Sequence, residues 1–277
     1  MIDYHVHTSL CNHAEGVMEA YIQRAVNIGL KEICFLDHLT IRKNDKSANG
    51  YELSMSPGEV PFYFQAAQHL KKHYHGVINI KVGLETDFNP AYIDLVQDIT
   101  EKYSFDVIGS SLHFLGDMNI VSGASDWNHG KWDPDHIYLL YLQQIEKMLD
   151  YNYFDVVCHL DLIKKFGHKS LKLFDKEFNA ILSKIKDKNL VVEVNTSGYN
   201  HPAQEIYPGP DIIKKCREAE ICVTLGSDAH TPESVGQHFD RALSLLIAAG
   251  YKQLTTFARR RSGTVSIGEL SPSETVT

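Results

Sequence analysis

The first thirteen residues, MIDYHVHTSLCNH, carry three imidazoles, His5, His7 and His13. A neutral imidazole is a ligand for divalent transition metals, and two histidines two residues apart in an extended segment face one side and can hold one ion together. Six more side chains of ligating type follow along the chain: His38 after Asp37, then Glu85, His113, His159, Asp228 and His230. Asp228-Ala229-His230 repeats the spacing of two, although in a loop the pair can serve one ion or two. Singly, each has an ordinary explanation as a packed or hydrogen-bonded polar group. Gathered at one end of a barrel they do not, because unpaired buried imidazoles and carboxylates are costly. The set offers nitrogen and oxygen without thiolate, which suits zinc, iron or manganese and not an iron–sulfur cluster. Nine donors exceed what one four-coordinate ion can use. Two or three divalent metal ions sharing a carboxylate account for them and leave positions for water and substrate.

The elements that must position these groups are legible as apolar runs rich in Val, Ile and Phe at 2–6, 32–36, 77–84, 105–111, 154–158, 190–194 and 221–225. Helical periodicity lies between or beside them at 15–28, 59–74, 90–102, 135–150, 172–188, 210–219 and 235–249. This alternation predicts βαβ units on a parallel sheet. With right-handed crossovers between neighbouring strands, a closed or nearly closed barrel of about seven strands is the economical arrangement. Every candidate ligand except His13 then falls at the C-terminal end of a strand or just after it, on the rim where such barrels build their sites. The segments 39–58 and 114–134 read as elaborated loops over that rim, and neither has the composition of a linker. The expectation is one domain over 1–277, with a poorly packed tail near 268–277. Gly29 and Gly250 read as helix C-caps.

Composition narrows the partners. Lys+Arg is 27 against 35 Asp+Glu, a formal charge of −8, which argues against a strongly basic nucleic-acid binder and leaves small anionic ligands open. No apolar run approaches the roughly 18 residues of a membrane span, and the polar N-terminus is no signal peptide, so the expected compartment is the cytoplasm. The five cysteines form no CxxC pair and fit free thiols in a reducing compartment. Of these, Cys34, Cys158 and Cys222 sit in strand-like runs and read as small core residues. GxGxxG is absent. A homodimer is compatible with the chain but not derivable from it.

The ordered set DYHVHT (3–8), LDH (36–38), GLETD (83–87), SSLHF (110–114), CHLDLIKKFG (158–167), EVNTSG (193–198) and GSDAH (226–230) resembles the PHP (polymerase and histidinol phosphatase) metallophosphoesterases, and within them the monofunctional histidinol-phosphate phosphatases. The resemblance covers essentially the whole chain. It implies an α/β fold, a distorted (β/α)7 barrel of the PHP type, with a trinuclear centre. On these positions His5, His7, Glu85 and Asp228 would hold one ion, with Glu85 bridging to a second held by His113 and His159, and His13, His38 and His230 would hold the third. The implied reaction is hydrolysis of L-histidinol phosphate to L-histidinol and phosphate in histidine biosynthesis. The alternatives are another phosphomonoester, a nucleotide phosphodiester or phosphotyrosine. A non-enzymatic metal-binding module is disfavoured by the complete ligand set.

For such an ester, metal coordination supplies hydroxide near neutral pH, Glu85 bridges the ions, and Asp228 can accept a proton from the attacking water. Asp37 and Asp161 are candidates to hold imidazole tautomers. Arg42, His201, Lys164 and Lys165 are candidates for phosphate contact, the two lysines reading equally as solvated. Where relatives carry a basic residue after the EVNTSG glycine, this chain has Tyr199-Asn200-His201, and His201 replaces that charge only if it stays protonated. Asp117 and Asp126 are candidate partners for the substrate's ammonium and imidazole. Phe114 and Trp127 can stack on the ring or simply pack.

Overall fold

The computed structural model describes residues 1–42 and 53–269. Among these, one sheet holds seven parallel strands: β1 (Ile2–Val6), β2 (Glu32–Leu39), β3 (Asn79–Asp87), β4 (Val107–Ser111), β7 (Val156–Val157), β8 (Val191–Asn195) and β9 (Val223–Gly226), in the order of the chain. Strands β5 (Phe114–Leu115) and β6 (Met118–Asn119) form a small antiparallel hairpin after β4. Each crossover steps to the adjacent strand, so the sheet curls on itself. The His7 N–H donates to the Ala229 carbonyl at 3.0 Å and the Ala229 N–H to the His5 carbonyl at 3.3 Å, bringing the first and last strands together into a nearly closed (β/α)7 barrel.

Helices α1 (Met18–Asn27), α2 (Val60–His73), α3 (Ile93–Lys102), α4 (Pro134–Met148), α5 (Asp175–Asp187), α6 (Pro210–Glu218) and α7 (Phe239–Ala248) complete the units. All eight residues of β2 are buried, as expected of a strand covered by helices on one face and barrel interior on the other. The helices bury one face only: α1 presents Tyr21, Ile22 and Ala25 inward. Gly29 and Gly250 adopt φ of +73° and +90° just beyond α1 and α7, the left-handed conformation that lets a helix end and turn into a strand. No helix among the described residues is long and apolar enough to cross a membrane.

Three expectations change. Strand β7 is shorter than the 154–158 run because the chain turns through His159, whose φ is +27°. Cys222 is exposed: it lies just before β9, and its side chain faces out between buried Ile221 and Val223. After the seventh unit the chain forms an antiparallel hairpin, β10 (Gln253–Ala258) and β11 (Arg261–Ser266). It is anchored by buried Leu254, Phe257 and Ile267, and by the Arg260 guanidinium, which donates to the Tyr153 carbonyl at 2.8 Å and pairs with Asp155. Residues 270–277 of the expected tail lie outside the described residues.

Candidate metal centre

The nine candidate ligands come from six of the seven strands and the loops that follow them, and converge at the C-terminal end of the strands. Glu85, fully buried near the end of β3, stands at the middle and its two oxygens divide the imidazoles. Oε2 lies 2.8 Å from His38 Nδ1, 3.3 Å from His5 Nε2 and 3.8 Å from His7 Nε2, whereas Oε1 lies 2.7 Å from His159 Nε2 and 3.5 Å from His113 Nε2. Asp228 Oδ1 is 3.0 Å from His7 Nε2 and 3.8 Å from His5 Nε2. On the outer side His13 and His230 bring their Nε2 atoms to 2.9 Å of each other. The ligand atoms of His5, His7 and Asp228, and those of His7, His38 and His230, each fall within 4.8 Å of one another.

The far side of each ring is held as well. His13 Nδ1 lies 2.8 Å from the Cys11 carbonyl and His230 Nδ1 3.0 Å from the Asp228 carbonyl, which leaves Nε2 of both rings facing inward. Asp37 Oδ1 is 3.4 Å from His7 Nδ1, and its other oxygen accepts from the Thr8 hydroxyl, so Asp37 orients the His7 ring and not that of its chain neighbour His38, whose Nδ1 faces Glu85. Glu193, which the residue-level reading passed over, does the same for His5. Its Oε1 is 2.5 Å from His5 Nδ1, and its Oε2 accepts from the His159 N–H at 2.8 Å and the Asn195 amide at 3.2 Å. A Cβ on Gly226 would sit 2.6 Å from His5 Cβ and against Glu193 Oε1, so only glycine leaves room for this pair. Asp228 Oδ2 accepts from Asn195 Nδ2 at 3.2 Å and the Ser197 hydroxyl at 3.1 Å, turning Oδ1 toward the histidines.

The electrostatics suit cations. Burial pushes the Glu85 and Asp228 carboxyls up, but the surrounding histidines outweigh it and hold both well below the carboxylate range. Burial lowers His7 to about 3, aided by His38, and lowers His230 to about 3, aided by His7. Burial, with His38 and His230, lowers His13 to about 4. Burial also opposes charge on His5, yet Glu193, Glu85 and Asp228 together raise it. Two ionised carboxylates beside the imidazoles of His7, His13 and His230, which burial keeps neutral, form a donor set for divalent ions. The buried Nδ1 of His159 has no hydrogen-bond partner among the described residues, whereas His38 Nδ1 faces Glu85 Oε2.

Above this floor lies a cavity of about 540 Å³, bordered by Thr40, Leu53, Phe114, Asn119, Val121, Ser122, Leu162, Lys165 and His201 as well as the ligands. Of the two adjacent lysines, Lys164 is spent on Asp161 at 2.7 Å and Glu205 at 2.5 Å, while Lys165 lines the cavity and donates one bond to the Val121 carbonyl at 3.1 Å. His201 reaches the cavity, but burial and the Lys165 charge lower it to about 4, so it stands there as a neutral hydrogen-bonding group.

Other candidates are engaged elsewhere. The Arg42 guanidinium lies 3.7 Å from the Phe114 ring centroid and donates to the Gly116 carbonyl at 2.7 Å, bracing the β5–β6 hairpin. Asp117 is almost fully exposed, 3.5 Å from Arg42, and Asp126 pairs with Lys131 at 2.6 Å; neither borders the cavity. Asp161 turns to Lys164 and the Gly209 N–H and not to the His159 ring. Trp127 is buried and packs on His168 and Tyr138, away from the cavity.

A nearly closed barrel of seven βα units, with histidines and carboxylates clustered inside its C-terminal rim, defines a metal-site barrel protein. Residues 3–197 match the PHP domain model, and the chain belongs to that family. It is 30% identical over 257 residues to a probable histidinol-phosphatase of Deinococcus radiodurans, covering 92% of this chain and 96% of that one. With a histidinol-phosphatase of Lactococcus lactis it shares 26% identity, over 93% of this chain and 94% of the relative. The crystal structure of a histidinol phosphate phosphatase from Lactococcus lactis, complexed with zinc, L-histidinol and phosphate, superimposes with a TM-score of 0.81 at 22% identity, covering 95% and 98% of the two chains.

Proposed function

We propose that this protein is a metal-dependent histidinol-phosphatase that hydrolyses L-histidinol phosphate to L-histidinol and phosphate, acting as a single domain. The observation that carries the reading is the joint placement of nine potential ligands under a cavity whose wall supplies Lys165. The full-length likeness to the Deinococcus and Lactococcus enzymes supports it, and the zinc, L-histidinol and phosphate in the related crystal structure fit the same donor chemistry.

His5, His7, Glu85 and Asp228 would hold one divalent ion, Glu85, His113 and His159 a second, and His13, His38 and His230 a third. Ions held there would supply a water nucleophile near neutral pH and offset charge on the phosphoryl oxygens. The chain's own contribution is orientation. Glu193 and Asp37 set the His5 and His7 rings, and Asn195 and Ser197 aim Asp228. Both Glu85 and Asp228 stay ionised at neutral pH, which suits charged ligands better than an acid that must protonate the leaving alcohol. Lys165 spends one of its three donors on Val121 and keeps two for phosphate oxygens, with His201 as a neutral partner. Phe114 and Leu162 give the organic part an apolar wall, and Asn119, Ser122 and Thr40 give it polar contacts.

The test is kcat/KM for L-histidinol phosphate against p-nitrophenyl phosphate, bis-p-nitrophenyl phosphate and a phosphotyrosine peptide, on metal-quantified protein reconstituted with zinc, manganese or iron. A clear preference for the first substrate with two or three ions per chain is expected. A fully metallated enzyme that prefers the diester or the peptide overturns the assignment.

A further inference from the structure

The segment after β4 and the turn after β7 belong to different βα units, yet they are fastened at three points. Trp127, fully buried, donates its indole N–H to the Ile163 carbonyl at 3.2 Å. His168 packs on that indole with ring centroids 4.7 Å apart, and its Nε2 lies 3.1 Å from the Asn128 carbonyl. Lys165 Nζ closes the third link on Val121.

Ile163 is the central residue of the 3₁₀ turn Leu162–Lys164, and the Lys165 N–H continues the turn by donating to the Leu162 carbonyl at 2.9 Å. Wherever the Ile163 carbonyl is held, the direction in which Lys165 leaves the turn is held too. Packing alone would be served by a phenyl ring; the indole adds a donor, and that donor goes to the residue two before Lys165. The same tryptophan follows Asn119, Val121 and Ser122 in the chain, which border the cavity beside Lys165.

We propose that Trp127 is a positioning residue for phosphate binding: its indole N–H, held by the Ile163 carbonyl, fixes Lys165 and the 119–122 wall at one spacing. The inference rests on the reading of Lys165 as a phosphate contact. It is tested with wild type, W127F, K165M and the double variant, each metal-quantified, by the Ki of inorganic phosphate, by KM and kcat for L-histidinol phosphate, and by Tm. K165M is expected to raise Ki at least about tenfold, the loss of a charge-assisted hydrogen bond. W127F is expected to raise Ki and KM in parallel by about three- to tenfold with metal content unchanged. The double variant is expected to bind phosphate no more weakly than K165M, because the tryptophan acts through the lysine.

A W127F protein with lower Tm but Ki within about twofold of wild type would reduce Trp127 to packing and overturn the proposal. So would fully additive effects in the double variant. A K165M protein with unchanged Ki would instead defeat the reading of Lys165, and the proposal with it. Should W127F not fold, 3-benzothienylalanine incorporated at 127 keeps the ring volume, replaces the N–H by sulfur and serves the same comparison.

Discussion

Glu193→Gln removes one charge and almost no volume, which makes it the sharpest probe of how the centre is organised. The carboxylate accepts from three donors: the His5 ring, the His159 backbone and the Asn195 amide. A glutamine has one accepting oxygen and one NH₂ group. If its oxygen faces His5, the NH₂ confronts the two donors at His159 and Asn195; if it faces them, the NH₂ confronts the imidazole. Either way at least one buried N–H loses its acceptor, at a cost of about 1–3 kcal/mol. The easiest relief is for His5 to change tautomer or rotate, and both remove the Nε2 lone pair from the Glu85 side. The expected result is about a ten- to hundredfold loss of zinc affinity, the scale usual for a carboxylate that orients a ligating histidine. Zinc retention after dialysis against a graded chelator series, read by elemental analysis beside kcat/KM, measures it. Wild-type zinc retention and kcat/KM within about twofold of wild type would refute the view that Glu193 sets the His5 ring.

Gly226→Ala attacks the same contact from below, and its Cβ should cost about 1–3 kcal/mol of stability by overpacking and reproduce the zinc loss of Glu193→Gln; unchanged zinc affinity in this variant would refute the steric account. Arg42→Ala removes the guanidinium from Phe114, worth about 0.5–1 kcal/mol, and is expected to raise KM by no more than about fivefold with kcat unchanged; a collapse of kcat would instead place Arg42 in contact with the reacting group. Metal-stripped protein should lose stability as pH falls below about 6.5. In the unfolded chain His7, His13 and His230 take up protons there, whereas in the fold they stay neutral until about 3, 4 and 3, so the unfolded state binds more protons through that window. His5 and His159, raised in the fold, and Asp3, pushed up by burial to about 6, work the other way over part of this window, while His201, lowered by burial to about 4, adds to the loss. A Tm of the stripped protein that is flat from pH 7 to 5 would contradict this.

The cluster of candidate ligands was legible because most of its members stand at or just beyond the end of an apolar run, where strand direction alone fixes the rim they share. Glu193 was not, because an acid inside VVEVN shows nothing of the ring beside it; only the barrel brings β8 alongside β9 and His5 within reach. Lys164 and Lys165 are chemically identical neighbours, and it is the 3₁₀ turn that sends one outward to Asp161 and Glu205 and the other into the cavity. Asp117 and Asp126 lay on the right loop, but a loop's path, not its composition, decides which side chains face inward. The closing hairpin escaped notice because Arg259-Arg260-Arg261 reads as a charged surface run, although Arg259 and Arg260 adopt φ of +50° and +64° to make its turn.

The barrel's seam and the candidate metal centre are the same place. His7 and Asp228 meet across 221 residues of chain, where β1 joins β9. During synthesis the first donors leave the ribosome with the N-terminal strand and must wait for almost the whole polypeptide before their partners exist. Contacts this distant in sequence are slow to form, and the ring has no earlier way to close. An interrupted chain ending before residue 228 would carry the matched PHP segment, residues 3–197, and most of the histidines, but neither the clasp of the ring nor the last two donors. Full loading of the candidate centre would therefore need the finished ring, with Asp228 and His230 in place.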